Sequence, residues 1–227
     1  MRYIRLNSWI FIILFTYSCD KKIIETPVTQ FQVEPSEMTD TRDGQIYKIV
    51  KIGNQWWMAE NLNYYTSSGS WYYNNDSIKY SKPYGRLYLW RAAMNLHASS
   101  SSNPSNVQGI SPNGWHIPSL SEWNQLENYL KSFGLCADDL KDVGTSHWPT
   151  PNYGTNLTFF NAIPTGTVYN NGNSFANINY QTTFLTSTID ENTGGVWGRG
   201  IDCDKSDLRI APLGLQNGWS VRCVKDK

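Results

Sequence analysis

The segment from Ser119 to Gly134 constrains the fold most, because it carries helix signals at both ends. Ser119 and Glu122 form a capping-box pattern, in which the two residues satisfy each other's free backbone N–H groups. Gly134 is typical of the left-handed residue that ends a helix. Between them, apolar residues recur at helical spacing: Leu120, Trp123, Leu126, Leu130 and Phe133. The pattern predicts one amphipathic helix near the middle of the chain.

A second, less strongly marked helix is predicted over residues 86–97. Trp90, Ala93, Met94 and His97 recur there at three- and four-residue spacing, which would place them on one helix face. The stretch 61–83 that precedes it is rich in Ser, Asn, Gly and Tyr and is predicted to be a loop.

Short extended segments flank the two helices. Residues 45–52 and 55–58 alternate and adjoin Gly-containing turn dipeptides, which indicates an antiparallel hairpin. Asn- and Gly-rich turns separate further short runs at 159–164, 184–188, 196–199, 208–210 and 219–224. Strands, then two helices, then strands again predict an α+β fold in which both ends of the domain share one sheet.

Charge and composition exclude one class of partner. Charged residues make up only 17% of the chain, with 19 basic and 19 acidic residues and no basic patch. Nucleic-acid binding domains usually carry a concentrated positive surface. We therefore expect no nucleic-acid partner.

The N-terminus has the three parts of a secretory signal. Arg2 and Arg5 supply positive charge, residues 9–15 form a short apolar run, and the small residue Ser18 precedes Cys19. The apolar run is too short to cross about 30 Å of bilayer hydrocarbon. This pattern predicts a signal peptide over residues 1–18 and lipidation of Cys19.

Lipidation at Cys19 would make the membrane a partner through a lipid anchor. It predicts a bacterial cell-envelope protein, at the outer membrane or cell surface. An ordinary cleavable signal with an incidental cysteine is the alternative, because Thr16 and Tyr17 differ from the usual lipobox. Residues 19–40 lack any regular period and are predicted to form a flexible tether, followed by a domain at 41–227.

Three cysteines follow Cys19 in the sequence. Cys203 and Cys223 lie on segments predicted to be neighbouring C-terminal strands, so we favour a disulfide between them. Cys136 would then be a small buried thiol. Sequence spacing leaves the connectivity open.

No arrangement of residues indicates catalysis. His97, His116 and His147 are far apart in the sequence and lack metal-ligand spacing, and no nucleophile elbow or phosphate-binding loop occurs. We expect no catalytic residues, no metal and no cofactor.

One loop is a candidate binding site because it combines aromatic and polar side chains: Trp71, Tyr72, Tyr73, Asn74, Asn75 and Asp76. Aromatic faces can stack on sugar rings while Asn and Asp hydrogen-bond to hydroxyl groups. The alternative is that these rings only cover a small core.

Several motifs, in order along the chain, resemble the Fibrobacter succinogenes major paralogous domain family. They are the residues 43–48 (DGQIYK), 52–64 (IGNQWWMAENLNY), 73–76 (YNND), 84–94 (YGRLYLWRAAM), 114–123 (GWHIPSLSEW) and 218–226 (GWSVRCVKD). The resemblance extends from about residue 41 to the end of the chain. It implies a C-type-lectin-like fold with two helices packed on short, loop-rich antiparallel sheets, and a surface or secreted location.

The chain departs from related proteins in ways that bear on function. Tyr72, Tyr80 and Ser111 stand where many relatives have cysteine. If the cysteine that relatives have in place of Ser111 pairs with the terminal-strand cysteine, Cys223 needs another partner. The calcium-binding tripeptides of true C-type lectins are absent, so calcium-dependent sugar binding is not expected.

Three functions stay open at this point. The first is a non-catalytic surface module for binding or adhesion, with a glycan or a surface protein as its ligand. The second is an enzyme that acts on envelope or extracellular polysaccharide. The third is a purely structural surface domain.

The anchor is tested by metabolic labelling with palmitate. We expect the wild-type chain to incorporate label and the Cys19→Ala variant to incorporate none, because the thiol is the predicted acylation site. Equal labelling of the two proteins would contradict the prediction.

Overall fold

The computed structural model describes residues 31–226, which form a mixed α/β domain with mostly antiparallel sheets. The predicted signal peptide, Cys19 and most of the tether lie outside these residues. The strands are β1 (Val33–Thr39), β2 (Ile46–Ile52), β3 (Gln55–Met58), β4 (Ser70–Trp71), β5 (Leu87–Leu89), β6 (Trp115–His116), β7 (Thr165–Tyr169), β8 (Ser174–Ile178), β9 (Gln181–Asp190), β10 (Gly195–Asp202), β11 (Arg209–Leu213), β12 (Gly218–Trp219) and β13 (Val224–Lys225). The helices are α1 (Ser77–Tyr80), α2 (Trp90–Met94) and α3 (Leu120–Ser132). The α+β class predicted from the sequence is confirmed.

The first sheet joins the two ends of the domain, as predicted. Its strand order is β1-β2-β3-β13-β6, and every pair in it is antiparallel. Strands β2 and β3 form the predicted hairpin, with Gly53 at a positive φ of 59° in the turn. The C-terminal strand β13 then adds to β3, with Val224 opposite Trp57.

The predicted boundary of the tether at residue 40 is wrong. Strand β1 occupies residues 33–39 and pairs along its whole length with β2, from Val33 opposite Ile52 to Thr39 opposite Ile46. Phe31 already packs against Tyr129 and Phe133. Most of β1 is exposed, as an edge strand can be, so its residues show no hydrophobic alternation.

Helix α3 confirms the strongest prediction. The Ser119 side chain accepts a hydrogen bond from the Glu122 N–H, and Glu122 accepts one from the Ser119 N–H. Trp123, Leu126 and Leu130 are buried, and the helix is followed by Gly134 at φ 71°. Burial of this stripe fixes the helix against the sheets, because hydrophobic packing supplies most of the stability of a short helix.

The predicted helix over residues 86–97 is much shorter in the structure. Residues 87–89 form strand β5, and α2 covers only Trp90–Met94. Asn95 (φ 45°) and Leu96 (φ 67°) adopt left-handed conformations, which end the helix. His97 therefore does not lie on a helix face.

The other two sheets hold the C-terminal half. One has the order β11-β10-β9 and the other β4-β5-β12-β7-β8. The strand predicted for residues 159–164 does not form, because Phe159 (φ 56°) and Asn161 (φ 55°) interrupt the extended chain. The sequence does not predict strands β7 and β8, because Asn-rich segments adjoin both strands and Asn177 (φ 66°) lies inside β8.

Aromatic side chains fill the interior. Trp57 and Trp123 lie with ring centres 4.5 Å apart, and Trp123 stacks on Phe184 at 5.2 Å. Phe160 packs edge-on against Trp57, Trp123 and Phe184. Large rings bury much area per residue, so this cluster compensates for the small number of aliphatic side chains.

A fully buried guanidinium lies beside this cluster. Arg222 donates to Asn61 Oδ1 at 2.9 Å, to the Phe160 carbonyl, and to the Asn161 carbonyl at 2.9 Å. Its guanidinium also lies 4.3 Å from the centre of the Phe160 ring and 5.2 Å from that of Phe184. Burial lowers the pKa of Arg222 to about 9, and the three acceptors offset part of the cost of removing the charge from water.

The expected Cys203–Cys223 disulfide is absent, and Cys136, Cys203 and Cys223 are free thiols. Cys203 follows β10 of the three-stranded sheet, whereas Cys223 precedes β13 of the first sheet, so they are not on neighbouring strands. The two thiols pack against different apolar clusters. Burial raises the pKa of Cys223 to about 12, so this thiol stays protonated. Cys136 is only half-buried rather than buried as predicted.

The imidazole of His116 connects Asp226, which follows β13, to Glu122 in the first turn of α3. His116 Nε2 is 2.7 Å from Glu122 Oε1, and its Nδ1 is 2.7 Å from Asp226 Oδ1. Only 2% of the His116 side chain is exposed. Burial alone would lower the pKa of His116, but the hydrogen bonds and charges of Glu122 and Asp226 outweigh it, and the pKa is raised. Glu122 also accepts a hydrogen bond from the Ser105 N–H.

Stability is therefore predicted to fall as pH rises through the raised folded-state pKa of His116. Stabilisation by the protonated imidazole is complete below the unfolded-state value of 6.5 and disappears above the folded-state value. Urea unfolding from about pH 6 to about pH 9 should show a larger loss for the wild type than for His116→Gln. The matched control is His97→Gln, at an exposed histidine, which should keep the wild-type loss. Parallel pH profiles of wild type and His116→Gln would contradict the prediction.

Candidate functional site

The candidate loop at residues 71–76 is more regular than expected. Trp71 belongs to β4, and residues 73–75 form a 3-10 turn in which Asn74 and Asn75 have positive φ. Asp76 Oδ1 accepts a hydrogen bond from the Lys79 N–H at 3.0 Å and so caps α1. The polar residues Asn74, Asn75 and Asp76 thus stabilise the backbone of the loop itself.

The aromatic side chains of the loop pack onto the domain. Tyr73 is 7% exposed and lies with its ring centre 5.2 Å from that of Tyr80 and 5.4 Å from that of Phe175. The Arg86 guanidinium lies 4.0 Å from the centre of the Tyr72 ring. The geometry favours the packing alternative for these rings.

The Trp71 indole occupies the space in front of Gly172, where a Cβ atom on that glycine would collide with the ring. It also packs against the small apolar cluster that contains Tyr73. Trp71 therefore supports the turn between β7 and β8.

A groove of about 710 Å³ lies elsewhere, between the three-stranded sheet and strands β7 and β12. It is larger than the cavities of 440 and 480 Å³ beside residues 35–37 and 130–140. Most of its lining side chains are polar or aromatic: Thr167, Tyr169, Tyr180, Gln181, Thr183, Asp202, Cys203, Asp204, Arg209, Ala211, Pro212, Leu213, Gly214, Asn217 and Trp219. Ligand sites commonly combine a concave surface with a few oriented polar groups.

Tyr180 lies at the edge of the groove, on a turn that backbone hydrogen bonds hold in place. Its N–H donates to the Asn177 carbonyl at 3.1 Å, and its carbonyl accepts from the Cys203 N–H at 2.8 Å. Asn177 and Asn179 supply the positive φ values of 66° and 70° that the turn needs. Tyr180 is nevertheless 61% exposed, so the backbone is held while the ring faces solvent.

An ion pair forms another part of the lining. Arg209 Nε and Nη2 donate to the two carboxylate oxygens of Asp202, each at 3.0 Å. Gly200 allows this position, because an added Cβ there would collide with the guanidinium. A bidentate pair holds both planar groups in one orientation.

The predicted loop 71–76 contributes nothing to the groove lining, and of the predicted disulfide only Cys203 does. The sequence alone did not single out the groove residues Tyr169, Tyr180, Asp202 and Arg209. The sequence feature that could have indicated Tyr180 is the Asn-rich stretch 170–179, which places this tyrosine directly after a turn.

The histidines do not converge. His116 binds the two carboxylates described above, and His147 Nδ1 lies 2.6 Å from Asp142 Oδ2. Among residues 31–226, no group of His, Cys, Asp and Glu is arranged to hold a metal ion. No helix in this described part is long and apolar enough to cross a membrane.

Three sheets with mostly antiparallel strands and three helices among the described residues define an α+β domain. The chain belongs to the family of the Fibrobacter succinogenes major domain, whose model matches residues 50–225. This confirms the family that the sequence motifs predicted. No curated protein and no solved structure matches the chain.

Packing of the loop predicts a stability defect for Tyr73→Ala. Removal of a buried ring should lower the free energy of unfolding by about 3 kcal/mol, as measured by urea denaturation. Tyr153→Ala is the matched control, because Tyr153 is 67% exposed, and it should change that free energy by less than about 0.5 kcal/mol. Equal effects of the two substitutions would argue against the packing role.

Proposed function

We propose that this chain is a lipid-anchored, non-catalytic module of the bacterial cell envelope that binds an extracellular ligand in the groove. The observation that carries the proposal is the combination of an exposed, backbone-fixed Tyr180 with the oriented Asp202–Arg209 pair in one concave surface. Such a surface offers both contact area and directional hydrogen bonds. The ligand class is a glycan or a surface protein.

The N-terminal sequence supports the location. A positive, then apolar, then small-residue pattern ends at Cys19, which favours export and acylation. Acyl chains would hold the domain at the outer membrane or cell surface. Binding would then act as adhesion or capture at that surface.

The fold that we propose for the domain is C-type-lectin-like. Its support is the motif resemblance together with short antiparallel sheets, long connections and a well-formed helix α3. Folds of this kind carry many functions, so the function is argued from the groove.

Filling the groove tests the proposal. Gly214 lines it, and a Cβ atom on that glycine would meet only Asn217 Nδ2, at 3.8 Å. The Gly214→Trp variant should therefore fold normally and obstruct the site. We expect the detergent-purified wild-type chain to bind members of a glycan array or solubilised envelope proteins, and the variant to bind the same species at least about tenfold more weakly.

The control is Ile78→Trp, which adds the same ring at a side chain that is 98% exposed on α1, next to the aromatic loop. It should bind as the wild type does. Loss of binding in Ile78→Trp with full binding in Gly214→Trp would move the site to the loop and overturn the assignment to the groove. Failure of the wild type to bind any species would overturn the binding function itself.

A further inference from the structure

We infer that the groove recognises a neutral oligosaccharide, through an exposed tyrosine face and a bidentate ion pair. The inference rests on the proposed binding function and deepens it by naming the ligand class. Three features support the inference. They are the exposed ring of Tyr180 on a fixed backbone, the free hydrogen-bonding capacity of the Asp202–Arg209 pair, and the charge balance of the lining.

Tyr180 provides a flat apolar face beside polar groups. Hydrogen bonds to the Asn177 carbonyl and from the Cys203 N–H fix its backbone, so little further order has to be imposed when a ligand stacks on it. On the other side of the same turn, Asn177 Nδ2 donates to the Tyr169 hydroxyl at 3.3 Å, which ties the second groove tyrosine to it. A sugar ring has C–H faces that suit such an aromatic surface, together with hydroxyl groups at its edge.

The ion pair offers matched donors and acceptors. Arg209 uses Nε and Nη2 for Asp202, and within the described chain its Nη1 donates no hydrogen bond. Each carboxylate oxygen of Asp202 can accept further hydrogen bonds. A pair of adjacent hydroxyl groups can donate to the carboxylate and accept from the guanidinium at once, which is the polar edge that a pyranose presents.

The charge balance of the lining disfavours ionic ligands. Arg209 and Lys205, whose Nζ lies 4.0 Å from Asp202 Oδ2, balance the charges of Asp202 and Asp204, so the groove has no excess positive charge for an acidic sugar or a phosphate. The remaining polar groups are neutral amides and hydroxyls, such as Gln181, Asn217 and Thr183. Neutral hydroxyl-rich ligands match this set of partners.

The test is calorimetric titration of the detergent-purified full chain with neutral and acidic oligosaccharides. The probes are cellohexaose, xylohexaose and mannohexaose on one side and oligogalacturonate on the other. We expect binding of at least one neutral probe that changes less than about twofold between low and high salt, because no charge on the ligand is screened. We expect no measurable binding of oligogalacturonate.

Two substitutions assign the contacts. Tyr180→Ala and Arg209→Gln should each weaken binding of the neutral probe by about tenfold, while Tyr153→Ala, at a tyrosine of similar exposure, should bind as the wild type does. Thermal unfolding of each variant checks that it folds. If Arg209→Gln does not fold, the test rests on Tyr180→Ala, which should fold because the Tyr180 ring is exposed.

Four outcomes would overturn the inference: no binding of any neutral probe, preference for oligogalacturonate, loss of binding at high salt, or full binding by Tyr180→Ala. If no neutral probe binds but Gly214→Trp still abolishes capture of a surface protein, the inference fails and the proposed binding function stands. If Gly214→Trp leaves all binding unchanged, the function proposed for the groove fails as well.

Discussion

The buried guanidinium of Arg222 stabilises the segment of residues 218–225, which contacts all three sheets. Residues 218–225 run from β12 in one five-stranded sheet to β13 in the other. Between them, Ser220 exchanges backbone hydrogen bonds with Thr183 and Leu185 of the three-stranded sheet. A buried charge without acceptors would be very costly, so Arg222 fixes the positions of Asn61 and of residues 160–161 around this crossing. Trp219 of the same segment lines the groove, so the shape of the groove depends on the position of this segment.

Elements whose signals are local were predictable from the sequence. The helix that begins after Ser119 and the hairpin that turns at Gly53 depend on caps, turns and short-range spacing, and both form where they were expected. Strand β1 was not predictable, because an exposed edge strand needs no apolar alternation. The helix at residue 90 is shorter than its pattern suggests, because Asn95 turns left-handed.

The site was less predictable than the fold, because long-range contacts decide which aromatic side chains are exposed. Tyr73 and Tyr180 both lie in polar, Asn-rich stretches of sequence. Phe175, which is about a hundred residues away in sequence, covers Tyr73, whereas Tyr180 is left open. The groove contains residues from five strands and their connections, so no single motif could mark it.

The early start of β1 shortens the segment between Cys19 and the folded domain. With the proposed acylation of Cys19, the covalent chain between the anchor and Phe31 spans at most about 40 Å when fully extended, instead of about 75 Å to residue 41. If Cys19 carries the proposed anchor, the domain would lie within roughly its own diameter of the lipid headgroups. A ligand of the proposed groove would then have to come close to the membrane surface, as a flexible polymer chain can and a rigid distant surface cannot.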